Sequence, residues 1–339
     1  MHELIASIIV VNWNGKHHLE TCLYALERQT YPDYEIILVD NGSSDGSAEY
    51  VESNFPSVRV LRLPENKGFC GGNNIGIQQS RGEYIALINN DTEADPDWLL
   101  ESVKALESHP EAGFTASRIR LLDIRRLLDT AGDLFYNTGY PGKRGWLQPD
   151  GPEYDQNAWV FGACAGAAVY RRSMLNRIGL FDEDYFNYVE DIDLSFRAQI
   201  SGYRCLYVAS AIVYHKVSAT IGVDNSRKQY WSHRNHWYAL LKNLPAPLMR
   251  RYLGRIILAE LFVLGSAIRQ GRLQTFLRAR LDVCLSLGKI FRKRKNVQRL
   301  RKVSNEYIHS LISDDWFTRR KDEKKRENTY LKILQSSTH

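Results

Sequence analysis

Cysteine is scarce in this chain, and its spacing excludes two ways of holding a fold together. The five cysteines (Cys22, Cys70, Cys164, Cys205 and Cys284) stand far apart, form no CxxC pair and are odd in number. That argues against a zinc site and a secreted disulfide scaffold, and for thiols used as small core residues in a reduced, cytoplasmic chain. Long apolar runs are missing as well. The most apolar stretch of the C-terminal part, residues 256–268, contains Glu260 and falls short of the roughly 20 apolar residues a spanning helix needs. The first residues, MHELIASIIVVNWNG, have no basic start and no small-residue cleavage site, so they read as a buried strand and not as a signal peptide. No internal repeat is visible. With 339 residues, 44% hydrophobic and 25% charged, what remains is an ordinary globular composition with length for roughly two domains.

The formal charge of +6 hides a division. From Lys216 onward there are 27 Lys/Arg and 9 Asp/Glu, a net of +18, which leaves −12 for residues 1–215. An acidic half followed by a basic one points to chemistry in front and attachment to something anionic behind.

Through the acidic half, β-rich runs (5–11, 35–39, 58–63, 83–88) alternate with helical patterns (16–28, 44–53, 71–80). That rhythm predicts an α/β fold, a mostly parallel sheet with helices on both faces. Ligands of such sheets bind beyond the carboxyl ends of the strands. The residues found there are Asn12 and Asn14, then Asp40-Asn41-Gly42, then Asn89-Asn90-Asp91. Residues 119–157, rich in Gly, Pro and Tyr, lose the rhythm and read as an excursion with a hairpin. Regular structure resumes over 159–170 and 171–178, then a helix over 191–201 and a last strand over 203–214 that closes on His215.

Four segments carry chemistry. Asp40 and the following NGSSDGS loop offer a rim carboxylate able to accept from the N3–H of uracil or thymine, although a helix-capping loop would look the same. The stretch from Asn66 and Gly68 to Asn74 and Gly76 is glycine-rich before a helix, a setting that lets backbone approach an anion such as a diphosphate. Asn89-Asn90-Asp91 delivers oxygen ligands suited to Mg²⁺ or Mn²⁺ at a strand end. Glu190-Asp191-Ile192-Asp193 puts three acids at a helix start; they suit the helix dipole, and one of Asp191 and Asp193, exposed to a cleft, would serve as a base toward a sugar hydroxyl.

Taken in order, VVNWNG, the Asp40 loop, NKGFCGGNNIGI, LINNDTEADPDWL, GACAGAAVYRR and VEDIDLSFR resemble the inverting family 2 glycosyltransferases of GT-A fold, and most closely their rhamnosyltransferase-like members, which build bacterial surface polysaccharides. The resemblance covers about residues 4–220 and implies a catalytic domain at 1–222 followed by a basic helical region at 223–339. It implies that Asp40 recognises the base, that Asp91 is the main metal ligand with His215 as a second, and that Asp191 is the catalytic base. Asn12, Asn14, Asn66, Gly68, Asn74 and Asn90 would bind the donor, a dTDP- or UDP-linked sugar. Trp159, Tyr188 and Glu190, with Tyr185 nearby, would shape the site for a saccharide or lipid-linked saccharide acceptor. Only the last residue of Asn89-Asn90-Asp91 is acidic, where the family has a DxD-type motif.

The basic region shows two helical patterns. In one, Leu253, Ile256, Ile257, Leu261 and Leu264 share a side; in the other, over 276–291, Leu277, Leu281, Leu285 and Phe291 do so. Such helices lie on anionic membranes or pack on a partner, so the expectation is a protein peripheral on the inner face of the cell membrane, with a homodimer or a packed bundle as the alternative. A nucleic-acid contact is not expected, because no helix-turn-helix, RRM or zinc signature is present. Two enzymatic alternatives keep a nucleotide site: the same fold with a UDP-hexose donor, and a sugar nucleotidyltransferase. The second requires a Gly/Arg/Lys-rich loop after the first strand, where Asn-Trp-Asn-Gly-Lys stands instead.

Overall fold

A computed structural model describes residues 6–217 and 226–336. The parallel half runs β1 (Ala6–Asn12), α1 (Lys16–Glu27), β2 (Tyr34–Asp40), α2 (Ser47–Asn54), β3 (Val58–Arg62), α3 (Gly68–Gln79) and β4 (Tyr84–Asn89). Then follow β5 (Thr92–Ala94), α4 (Trp98–Ser108), β6 (Ala112–Leu121), β7 (Leu128–Thr130), β8 (Asp133–Tyr136), β9 (Pro141–Lys143), β10 (Ala158–Val160), β11 (Ala167–Arg171), α5 (Arg172–Ile178), α6 (Glu190–Ile200) and β12 (Arg204–His215). The basic part forms α7 (Ser226–Asn243), α8 (Ala246–Arg269), α9 (Leu273–Arg299), α10 (Asn305–Ser310), β13 (Ile312–Ser313) and α11 (Trp316–Ser336).

The main sheet is ordered β10-β12-β6-β11-β4-β1-β2-β3. Strands β3, β2, β1 and β4 are mutually parallel, and β11 enters antiparallel between β4 and β6. Alternation along β1 explains the layers: Ile8 and Val10 pack with Leu19, Leu23 and Leu26 of α1, while Ile9 packs with Ile77 of α3. A strand buried on both faces reads as the unbroken apolar run seen in the sequence. Gly76 lets α3 lie directly on β1, since a Cβ there would sit 2.5 Å from Ile9 Cγ2 and 3.1 Å from Val39 Cγ2. The glycine-rich stretch therefore serves helix–sheet packing as well as its turn.

The C-terminal helices share the core of the sheet. One hydrophobic cluster contains Ile9 and Ile37 together with Leu240, Ile256, Val283 and Val297, and β13 adds a parallel strand to β8 of a small second sheet. The expected division at 222/223 falls within 218–225, outside the described residues. Helix α9 exposes Leu277, Leu281, Leu285 and Phe291 together, as expected, whereas α8 differs from the expected one-sided pattern. Ile256 is buried with Tyr252, Ala259 and Val263, whereas Leu253, Ile257 and Leu261 are exposed; α8 is apolar on two sides and only one of them meets the protein. Among the described residues no helix is long and apolar enough to cross a membrane.

Candidate active site

Register brings the strand ends level. Asn12 stands opposite Asp40 in the β1–β2 pair, and Val11 opposite Asn89 in the β1–β4 pair. Over this rim opens a cleft of about 790 Å³. Asn66, Gly68, Asn90 and Asp91 line it from the parallel half, Tyr188, Glu190 and Asp191 from the start of α6, and His215 from the end of β12. Two carboxylates a hundred residues apart in sequence, Asp91 and Asp191, thus face one space.

The position of His215 follows from strand pairing. In the β12–β5 ladder His215 pairs with Thr92, the neighbour of Asp91, and its Nε2 lies 3.3 Å from Asp91 Oδ1. Its other ring nitrogen lies 2.8 Å from Asp129 Oδ2, and the buried Asp129 is also ion-paired with Lys143. Burial disfavours the imidazolium, but hydrogen bonds to Asp129 and Asp91 outweigh it and raise the His215 pKa to about 9. Burial likewise works against charge on Asp129, yet Lys143 and His215 hold it below the usual carboxylate range.

Among the described residues, no three or more His, Cys, Asp or Glu side chains converge as a ready-made metal cage. Mg²⁺-type sites do not need one, because the ion is commonly held by one or two protein groups, water and substrate phosphates. Asp91 and His215 would hold such an ion once it displaces the proton that His215 Nε2 shares with Asp91, and Asp129 on the far nitrogen would then orient the neutral ring. The sequence reading missed Asp129 and Lys143. Both lie in the irregular 119–157 excursion, where nothing local distinguishes them from surface charge.

Asp191 sits at the first turn of α6, held by backbone N–H groups of Ile192, at 2.8 Å, and Ala165. Burial raises its pKa despite these bonds and the nearby Lys143. Asp193 turns the other way, fully buried and bonded to Arg197, Lys242 and Asn243. Of the two candidate bases, only Asp191 reaches the cleft. Glu190 beside it is buried with Oε2 unpartnered, and burial followed by the Asp191 charge pushes its pKa well up.

The backbone entering α6 is strained. Phe186, Tyr188 and Val189 all have positive φ, at 62°, 69° and 72°, a conformation most costly for a β-branched residue. Helix α7 holds it: the fully buried Asn235 amide donates to the carbonyls of Tyr185 (2.9 Å), Asn187 (2.9 Å) and Tyr188 (2.8 Å). From the other side Gly68, at φ 72°, presses on Phe186, whose carbonyl oxygen would be 2.5 Å from a Cβ. Asn235 carries no motif and was invisible to the sequence reading.

The remaining expected donor residues divide. Asn66 and Gly68 line the cleft, and Asn41 between them and the rim ties the two loops together, donating to Asn66 Oδ1 at 3.1 Å and the Gly68 carbonyl at 3.0 Å. Asp40 lies one residue behind this wall, buried, with Oδ1 unpartnered. Asn12 and Asn14 stand outside the lining and shape the loop instead. Asn12 accepts from Asn90 at 2.6 Å and Asn14 Oδ1 from the Ser44 N–H at 2.8 Å. These two expectations are thereby corrected, and three more with them. Asn74 has both ends of its amide bonded to the Phe181 backbone, so it joins α3 to the loop before α6 and contacts no cleft. Trp159 lies beneath the Arg204 guanidinium, 3.7 Å from its ring centre, and against His109, away from the site. Tyr185 is fully buried, its hydroxyl on Asp193; its neighbour Tyr188 does line the cleft, as does Trp231 of α7.

The profile of the family described as "Glycosyl transferase family 2" matches residues 7–179. An N-acetylglucosaminyl-diphospho-decaprenol L-rhamnosyltransferase of Mycobacterium tuberculosis is 27% identical over 301 residues, spanning 79% of this chain and 95% of the relative. The O-antigen biosynthesis protein RfbC of Myxococcus xanthus is 29% identical over 236 residues, covering 66% of this chain and 18% of its own. Among solved structures, the mannosyltransferase PcManGT from Pyrobaculum calidifontis, in complex with GDP-Man and Mn²⁺, superposes with a TM-score of 0.53 at 18% identity over 87% of this chain and 84% of the other. GalNAc-T7 with UDP, GalNAc and Mn²⁺ gives 0.53 at 17% identity over 62% and 43%. The fold is that of the GT-A glycosyltransferases.

Proposed function

The chain belongs to glycosyl transferase family 2, and on that premise we propose that it moves a sugar, rhamnose as the leading choice, from a dTDP- or UDP-linked donor to a hydroxyl of a lipid-linked saccharide, with inversion. The observation that carries this reading is the meeting of Asp191 with the Asp91–His215 pair across one cleft. The M. tuberculosis relative, covered over nearly its whole length, supports the choice of sugar and acceptor.

Asp191 takes the proton of the acceptor hydroxyl as that oxygen attacks the anomeric carbon. The bond from that carbon to the diphosphate oxygen breaks on the opposite face, and the electron pair leaves with the nucleoside diphosphate. One base and one displacement invert the centre without a covalent enzyme intermediate. Ala165 and Ile192 aim the carboxylate, and burial raises its proton affinity toward that of a useful base. The Asp40 carboxyl, buried behind the Asn41 wall with one oxygen unpartnered, would accept from the N3–H of a pyrimidine whose binding opens that wall. A Mg²⁺ or Mn²⁺ held by Asp91 and His215 would supply positive charge to the departing diphosphate.

Thermal-shift titration with dTDP- and UDP-sugars, with and without Mn²⁺, tests donor binding, since a ligand of the folded state raises the unfolding temperature. Product analysis completes the test: free nucleoside diphosphate and an inverted anomeric proton coupling are expected. Release of pyrophosphate, or a retained anomer, would overturn the assignment.

A further inference from the structure

A second cavity, of about 690 Å³, lies between the end of α8 and the length of α11. Its chemistry changes along its course. Phe262, Trp316 and Phe317 give it an aromatic side, and Arg269, Arg320, Lys321, Lys324 and Lys325 crowd it with cations. Glu323 and Glu327 line it too, and the same two glutamates line the catalytic cleft. One turn of α11 is thus shared by both spaces.

Beyond the aromatic end the surface becomes apolar. Leu253, Ile257 and Leu261 of α8 and Leu277, Leu281 and Leu285 of α9 are each more than half exposed. Apart from its own helix turn, a Cβ built on Gly254, Gly265 or Gly288 would meet no atom within 4 Å, so among the described residues no other segment covers the face at these points. Its charged rim is of one sign. Arg250, Arg251, Arg255, Arg278 and Arg292 are exposed, whereas the two acids of these helices are engaged, Glu260 by Arg280 and Asp282 by the Tyr230 hydroxyl. An apolar helix face ringed by arginines complements an anionic bilayer.

We propose that this basic cavity is the site for the diphosphate of a membrane-borne, lipid-linked acceptor, with the α8–α9 face resting on the bilayer that holds the lipid. The order of surfaces reproduces the order of such a molecule: apolar face for the chain, cations for the diphosphate, then Glu323 and Glu327 beside the sugar hydroxyls at the entrance to the catalytic cleft. The inference deepens the proposed function and rests on it for the identity of the acceptor, but not for the binding chemistry.

The test uses the full chain and geranylgeranyl diphosphate in neutral detergent micelles, with geranylgeraniol and inorganic pyrophosphate as companion probes. The lipid diphosphate should bind at least tenfold more tightly than either companion. Lys321→Gln/Lys324→Gln/Lys325→Gln should weaken it tenfold or more, and Phe262→Ser should weaken the lipid but not pyrophosphate. Vesicles with anionic lipid should pellet the protein more than neutral ones. Equal binding of geranylgeraniol, equal binding of pyrophosphate, an unaffected triple variant, or a dimer in which α8–α9 is protected by a second copy would each overturn the proposal. Binding of dTDP and UDP is measured in parallel. Its loss in the unmodified protein would remove the transferase reading while leaving the lipid result to stand or fall by itself.

Discussion

Replacing Asn235 by leucine puts the architecture of the active-site loop to the test. The side chain touches no substrate space; it is fully buried and feeds three carbonyls of residues 185–188. Leucine keeps the approximate volume and removes the donors. Stranding buried carbonyls costs about 1–3 kcal/mol, and each of the positive-φ residues at 186, 188 and 189 stores about 1–3 kcal/mol that the surroundings must hold. The loop is therefore expected to relax, carrying Glu190 and Asp191 with it. A misplacement worth about 1.4–2.8 kcal/mol in the transition state lowers kcat/KM by about 10- to 100-fold. Nucleotide affinity should fall less than kcat/KM, because Asn66 and Asp91 follow strands of the parallel sheet and the donor-side turn meets the loop through Gly68 and Cys70 at Phe186. Hydrogen exchange at amides 186–190 should accelerate, and the fluorescence of Trp231, whose ring centre is 5.1 Å from that of Phe186, should shift. Wild-type kcat/KM together with unchanged exchange in this segment would refute the reasoning.

Asp191→Asn should reduce kcat by about 10²–10⁴ and leave thermal-shift titration with the nucleoside diphosphate unchanged; in the unmodified enzyme, the acid limb of kcat/KM should lie above the ordinary aspartate range because burial raises this carboxyl. Glu260 is held at about 2: burial works against its charge, but His236 and Arg280 prevail. Its contribution to stability is complete above the unfolded value of about 4.3 and lost as the pH falls toward 2, so denaturant unfolding of Glu260→Gln should show a shallower stability loss over that interval than the unmodified chain. Gly76→Ala pushes a methyl group to 2.5 Å from Ile9, and overpacking of this kind costs about 1–3 kcal/mol. Its unfolding midpoint in urea should drop without a change in m-value.

Sequence by itself determined the α/β frame and half of the site. Unbroken apolar runs such as Ile8-Ile9-Val10 are the mark of strands buried on both faces, and parallel strands place their carboxyl ends on one rim, so the sequence alone makes Asp40, Asn90 and Asp91 legible as residues of that rim. What only the tertiary structure decided was everything that depends on register or on distant packing. Asp91 meets His215 because β12 pairs with β5 at one particular offset, and a local pattern does not encode an offset. Asp191, not Asp193, faces the cleft because Arg197 and Lys242, the second on the distant helix α7, claim Asp193 for the core. Asn74 and Trp159 look like binding residues in sequence and prove to be internal struts, since a side chain's role is set by which partners reach it first. Asn235 and Asp129 carry no signal at all, as their work is done across the fold through hydrogen bonds that exist only after the chain has closed.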